Sequence, residues 1–195
     1  MFRFFAVGSM GLLAGLVVSL AAGQENGEKA KNCAVEYSKP ICVKEVEFEV
    51  VAETVWRRPA EVYEKEGANI GLRITNRSDK DFTFDLGGML HISLKSVDGN
   101  EWASGRVAKR FLPKPLKVAA DKSEIVTLPT HLYHTRIREV CLGLNSDIGW
   151  NWLTPDIQPG KYRLCLCFEN KQEGNDAWLG KMQTETLEIE VKAAK

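Results

Sequence analysis

The sequence has no excess charge of either sign, because 26 lysine and arginine residues face 26 aspartate and glutamate residues. A surface that follows a phosphate backbone needs a basic excess, so nucleic acid is not the expected partner. Histidine is scarce, with only three residues, His91, His131 and His134. That leaves little for a zinc site, which takes three or four ligands in tetrahedral array. His131 and His134 could share an ion only if their segment turned helically, and ordinary surface or core histidines are the expectation. No stretch sustains an apolar period of 3.6 residues, which excludes a helical bundle; short helices are expected at most over 58–66 and 130–138. Gly-x-Ser-x-Gly, Walker and His-Glu-x-x-His motifs are all missing. Glu45, Glu47 and Glu49 alternate along a strand, which makes a solvated face rather than an acid–base pair. The chain is therefore read as no enzyme, and it calls for no cofactor and no metal.

What the sequence does hold begins at the amino terminus. After Arg3 no charge occurs from Phe4 to Gln24, and small residues follow at Ala21-Ala22-Gly23. This reads as a signal peptide over 1–23 cleaved after Gly23, with an uncleaved anchor as the alternative. No Cys follows the cleavage site, so a lipid anchor is not expected. No later segment is apolar enough to cross a membrane, so the expectation after cleavage is a secreted or periplasmic protein without a membrane span. Removing 23 residues from 195 leaves 172, enough for one domain that buries about 70% of its unfolded surface. Residues 24–40 are polar and read as a flexible N-terminal segment. Residues 41–195 read as a single folded domain.

Within that domain the apolar residues recur with a period of two. Val46, Phe48 and Val50 alternate with the three glutamates, and Ile70, Leu72 and Ile74 repeat the pattern before a turn at 76–80. Phe82, Phe84 and Leu86 continue it. Leu90, Ile92 and Leu94 lead to Asp98-Gly99, a hairpin signal because both central residues of a type I′ turn need positive φ. Residues 103–115, with Gly105, Pro113, Pro115 and several basic residues, read as a long connection. Short strands are expected at 116–118, 125–128 and 140–144. Pro159-Gly160 then launches a strand with Tyr162, Leu164, Leu166 and Phe168 on one face and Arg163, Cys165, Cys167 and Glu169 on the other. Leu187, Ile189 and Val191 close the series. About eight or nine strands separated by turns make the expected fold class all-β, an immunoglobulin-like Greek-key β-sandwich.

Five cysteines, Cys33, Cys42, Cys141, Cys165 and Cys167, would meet an oxidising compartment after export. Cys33 and Cys42 flank Lys39-Pro40 and are expected to form a clip, worth roughly 2–3 kcal/mol. Cys165 and Cys167 point the same way from one strand, at a separation a disulfide seldom spans. Cys141 is expected to bridge one of them. The same three thiols could hold a soft ion such as copper(I), but a disulfide or plain packing weighs more. The best binding candidate is Ile148-Gly149-Trp150-Asn151-Trp152, read as a loop. Trp150 and Trp152, with Trp178 closing the same end, could stack on sugar rings or anchor a protein, although packing over the end of the sandwich is the commoner fate of such residues.

Leu72-Arg73-Ile74-Thr75-Asn76-Arg77-Ser78-Asp79-Lys80 and Pro159-Gly160-Lys161-Tyr162-Arg163-Leu164 together resemble the framework of bacterial immunoglobulin-like or fibronectin-III-like domains. The first stretch, followed by Leu90-His91-Ile92-Ser93-Leu94 and Asp98-Gly99-Asn100-Glu101-Trp102, also resembles the BsuPI-type proteinase inhibitor family. The resemblance covers roughly residues 46–191 and implies a sandwich. Where immunoglobulin domains carry a bridging Cys two residues after the corner Tyr, this chain has Leu164, so any disulfide should lie outside the core. The expected function is a non-catalytic module that binds an unknown protein or glycan at the cell envelope, with proteinase inhibition or carbohydrate binding as alternatives.

Overall fold

The computed structural model describes residues 34–98, 102–137, 139–146, 149–152, 156–171, 174 and 176–195, all within one compact unit, Asn32–Lys195. Residues 1–23, expected to be a signal peptide, and residues 24–33, hence Cys33, lie outside the described residues. The described chain is all-β. In order it forms β1 (Val35–Tyr37), β2 (Ile41–Val43), β3 (Val46–Glu53), β4 (Val55–Arg57), β5 (Lys65–Gly67), β6 (Ile70–Asn76), β7 (Phe82–Phe84), β8 (Leu90–Ser96) and β9 (Trp102–Arg106). There follow β10 (Leu116–Val118), β11 (Ser123–Leu128), β12 (Thr130–His134), β13 (Val140–Ser146), β14 (Gly149–Trp152), β15 (Gly160–Asn170), β16 (Gly180–Gln183) and β17 (Leu187–Lys192). A single 3-10 turn, Lys109–Phe111, is the one helical element among the described residues. None of it is long and apolar enough to cross a membrane.

Four sheets result. The first runs β1-β3-β6-β11, with β2 also on β3; the second pairs β10 with β7; the third runs β14-β13-β12-β5. The fourth runs β4-β17-β15-β8-β9, with β16 also on β15. Nearly every pairing is antiparallel, the exception being β17 with β4. Several antiparallel sheets around a shared core are compatible with a β-sandwich.

The period-two alternation supplies that core. Val46, Phe48 and Val50 of β3, Ile70, Leu72 and Ile74 of β6, Leu90, Ile92 and Leu94 of β8, and Leu164, Leu166 and Phe168 of β15 join one buried cluster. Each such side chain taken from water stabilises the fold by about 1.5–3 kcal/mol. At the centre, Trp178 lies 5.2 Å from Phe48, 5.8 Å from Phe84 and 5.8 Å from Phe168, centroid to centroid. At the corner before β15, the Tyr162 hydroxyl donates to the Gln158 carbonyl at 2.7 Å. Asn76, fully buried, donates its amide to the carbonyls of Lys80, Val118 and Ala119, tying the two-stranded sheet to the end of β6.

The strands are more numerous and shorter than the eight or nine expected, because the chain changes sheets without a long break. β3 and β4 are separated only by Thr54, yet β3 lies in the first sheet and β4 beside β17 in the fourth. β1 falls inside the stretch read as flexible, pairing Val35–Tyr37 with Val51–Glu53 while its side chains stay exposed. The segments read as short helices contain strands instead: β5 within 58–66 and its continuation, and β12 within 130–138. Glu49 also departs from its neighbours. It is 5% exposed, and Arg73 Nε donates to it at 2.6 Å with Nη2 also in contact. Arg73 stacks in turn on the Tyr37 ring at 4.6 Å.

Candidate functional site

β15 is the central strand of the fourth sheet, and its outer face makes the floor of a groove. Residues on one side of a strand recur every second position, so Cys165, Cys167 and Glu169 all project from the face opposite the core. The antiparallel register then builds rows across the sheet. Cys165 lies opposite Ser93 of β8, which lies opposite Ser104 of β9. Cys167 lies opposite His91, and His91 opposite Arg106. On the other flank, Gln183 of β16 is opposite Cys167 and Lys181 is opposite Glu169. Met89 and Gly88 close one end, giving an open groove of about 600 Å3. The connection after β9 runs past Gly87, which precedes Gly88 of the groove lining. It passes so close that a β-carbon on Gly87 would collide with the Leu112 carbonyl.

The electrostatics of the floor follow from this stacking. A hydrogen bond from the Cys167 thiol, opposed by burial and aided by Ser93, holds the Cys165 thiol below the ordinary thiol range. The same bond, with burial and the neighbouring Cys165 charge, pushes Cys167 strongly upward. Gln183 Nε2 also points at the Cys165 sulfur, 4.0 Å away. Arg106 Nε donates to His91 Nε2 at 3.3 Å. Burial, and then the Arg106 charge, lower the pKa of His91, so it accepts that bond as a neutral ring. Lys171 pairs with Glu169 at 3.0 Å, and the Lys181 charge, opposite Glu169 across the ladder, also lowers the pKa of that carboxylate. The groove thus offers thiol, imidazole, hydroxyl and cationic groups on one rigid surface.

β9 forms one wall of the groove and the outer edge of the sheet. The Val107 amide donates to the Leu90 carbonyl at 2.8 Å. By the alternation of an antiparallel ladder, residues 105 and 103 also turn their amides to β8, while those of Ser104 and Arg106 point outward. Among the described residues no strand pairs with that outer side.

The residues expected from sequence fall elsewhere. Trp178, expected at a ligand surface, is a core residue instead: 1% exposed and enclosed by three phenylalanine rings. Its segment bonds to β7, with the Trp178 amide donating to the Thr83 carbonyl, and that pairing carries the ring inward. Trp150 and Trp152 are placed in β14, not in a loop, opposite Asn145 and Gly143 of β13; their side chains lie outside what is described.

The expected disulfides are not present among the described residues, where Cys42, Cys141, Cys165 and Cys167 all carry free thiols. Cys141 sits on β13 of the third sheet, so neither Cys165 nor Cys167 of the fourth is its neighbour in a ladder. Buried near Glu139 and Asp156, its thiol is pushed up to about 11, first by burial and then by those charges. Cys42 is exposed, and its expected partner Cys33 is outside the described residues. His131 and His134 belong to a strand, where positions three apart face opposite sides. No three His, Cys, Asp or Glu side chains among the described residues come together as a metal cluster.

Sequence reasoning singled out the Cys165–Cys167 pair but not the groove around it. His91, Ser93, Ser104 and Arg106 come from a distant hairpin, and only the strand register brings them to the thiols. Compared with known proteins, the chain matches no protein-family model, and no curated protein is similar to it.

Proposed function

We propose that this chain is an exported, immunoglobulin-like Greek-key β-sandwich that acts without catalysis, binding a partner protein at the cell envelope. The binding mode is strand addition: an extended segment of the partner joins the outer edge of β9 and lays alternate side chains over the groove. The observation that carries this reading is the outer edge of β9, with which no strand pairs among the described residues, beside a groove with donors and acceptors on its floor. The apolar, charge-free start of the sequence supports export. The bond from the Tyr162 hydroxyl to the Gln158 carbonyl supports the immunoglobulin-like assignment, since a tyrosine corner returns its hydroxyl to backbone a few residues upstream.

The test is Ser104→Pro, which removes an outward amide while leaving the ladder to β8 in place. Captured from its native envelope by crosslinking, the partner should be lost from the Pro variant. Hydrogen exchange at the Ser104 amide should slow when the partner is added to the wild-type chain. Equal capture by both proteins refutes the strand-addition mode. Proteinase inhibition and carbohydrate binding, the other activities the sequence leaves open, are separated by titration against a panel of serine and cysteine proteinases and by a glycan array.

A further inference from the structure

We infer that Cys165 and Cys167 form a two-coordinate site for a soft monovalent ion, copper(I), on the floor of the groove. Both side chains line the groove from alternate positions on the same face of β15. Their α-carbons are separated by two residues of extended strand, about 6.7 Å at the usual rise, the outer limit of what a disulfide spans. The backbone has little freedom to close that gap. β15 is paired with β8 through Leu164, Cys165, Leu166, Cys167 and Phe168. On its other side, Thr184 Oγ1 accepts from the Leu166 amide at 3.0 Å, and the Thr184 amide donates back to the Leu166 carbonyl at 2.9 Å. The strand therefore holds a dithiol in a geometry that resists oxidation to a disulfide, while an ion lodged between the sulfurs tolerates the longer separation.

The identity of the ion follows from the donors. Soft thiolates favour copper(I), zinc and iron–sulfur clusters, and the latter two need more thiolates or other ligands than two cysteines supply. Zinc is disfavoured because it takes four ligands, and no cluster of three His, Cys, Asp or Glu side chains forms among the described residues. The Met89 thioether and His91 line the same groove, so the nearest additional donors are also ones copper(I) accepts. Charge is matched as well. Two thiolates around one Cu+ leave a complex of charge −1, and the groove holds three cationic side chains, Arg106, Lys171 and Lys181, against the single carboxylate of Glu169. Cys165 is 7% exposed and Cys167 is half-buried, so the ion enters from the groove and is shielded once bound. Binding needs no redox step: Cu+ forms two Cu–S bonds, and the thiol protons it displaces go to solvent. The site would hold its ion whether or not β9 takes a partner strand.

The test is an anaerobic titration of the reduced full chain with Cu+ against a chromogenic copper(I) chelator. The wild type should take one equivalent in competition with the chelator and develop thiolate-to-copper absorption in the near ultraviolet. Cys165→Ser and Cys167→Ser should each weaken binding by more than the roughly 10–100-fold that loss of an outer-shell partner costs, with circular dichroism unchanged. Cys141→Ser, and the double change Cys33→Ser with Cys42→Ser, should keep the equivalent. The inference is overturned if the chelator strips all copper from the wild type, or if binding survives in Cys167→Ser. Binding that disappears with Cys33 and Cys42, or an intact-mass loss showing Cys165 and Cys167 already joined as a disulfide, also overturns it.

Discussion

Trp178 is held against Gly180 so closely that the pair can be tested by a double-mutant cycle. A β-carbon on Gly180 would lie 2.7 Å from Cη2 and 2.9 Å from Cζ2 of the indole, well inside van der Waals contact. The backbone does not itself object to a side chain, because Gly180 is not among the glycines with positive φ. Gly180→Ala should therefore gain about 0.4–1 kcal/mol from a less flexible unfolded chain. Against this stands overpacking of a rigid ring enclosed by Phe48, Phe84 and Phe168, which costs about 1–3 kcal/mol. Overpacking wins, and the net loss should be roughly 1–2 kcal/mol.

Trp178→Phe removes both clashing atoms. Among the described residues the buried indole Nε1 has no hydrogen-bond partner to lose. In that background Gly180→Ala should become neutral or stabilising, giving a coupling of about 1–3 kcal/mol. Urea unfolding of the four proteins, followed by tryptophan fluorescence and circular dichroism, measures it. If Gly180→Ala costs the same with Trp and with Phe at 178, the ring is not packed on Gly180, and the account of Trp178 as the centre of the core fails.

Two further outcomes are expected. Arg73→Met should destabilise by about 2–3 kcal/mol and Glu49→Gln by only about 1 kcal/mol in urea unfolding. The asymmetry arises because the side chain of Glu49 is 6% exposed and stays buried, whereas that of Arg73 is 35% exposed and can rehydrate; the reverse order would refute it. Iodoacetamide labelling of Cys165 should set in at lower pH than that of Cys141, because the bond from Cys167 favours the Cys165 thiolate while burial and nearby carboxylates push Cys141 up to about 11. Cys167→Ala removes that donor and should move the Cys165 midpoint upward, and an unmoved midpoint refutes the hydrogen bond.

The legible part of the fold was whatever alternation alone decides. β3, β8, β15 and β17 were apparent because each pairs an apolar row with a polar one, and burial of Val46, Leu94, Leu166 and Ile189 follows from position parity. β12 was not legible, since Thr130–His134 contains one strongly apolar residue, Leu132, and its strand character comes from β5 and β13 on either side. β14 was obscured by the Gly and Pro residues around Trp150 and Trp152, which signal turns without telling where pairing resumes. Trp178 was misplaced for a similar reason: nothing near Gly174 and Gly180 records the sheet its ring drops onto. The alternation assigned Cys165 and Cys167 to the outer face. Their surroundings depend on β8, β9 and β16, and no local pattern carries that information.

The position of β17 bears on how the chain can fold as it is made. β17 lies between β15 and β4, and its Glu190, Val191 and Lys192 sit beside Val55, Trp56 and Arg57. A chain emerging amino end first presents β4 long before the strand that will cover it exists. Until then Trp56, fully buried in the finished molecule, has no sheet to close over it. Ordering of this kind ties completion of the fourth sheet to contacts of very long sequence separation, which form slowly. The edge pairing of β4 in the fourth sheet therefore cannot form until β17 has been made.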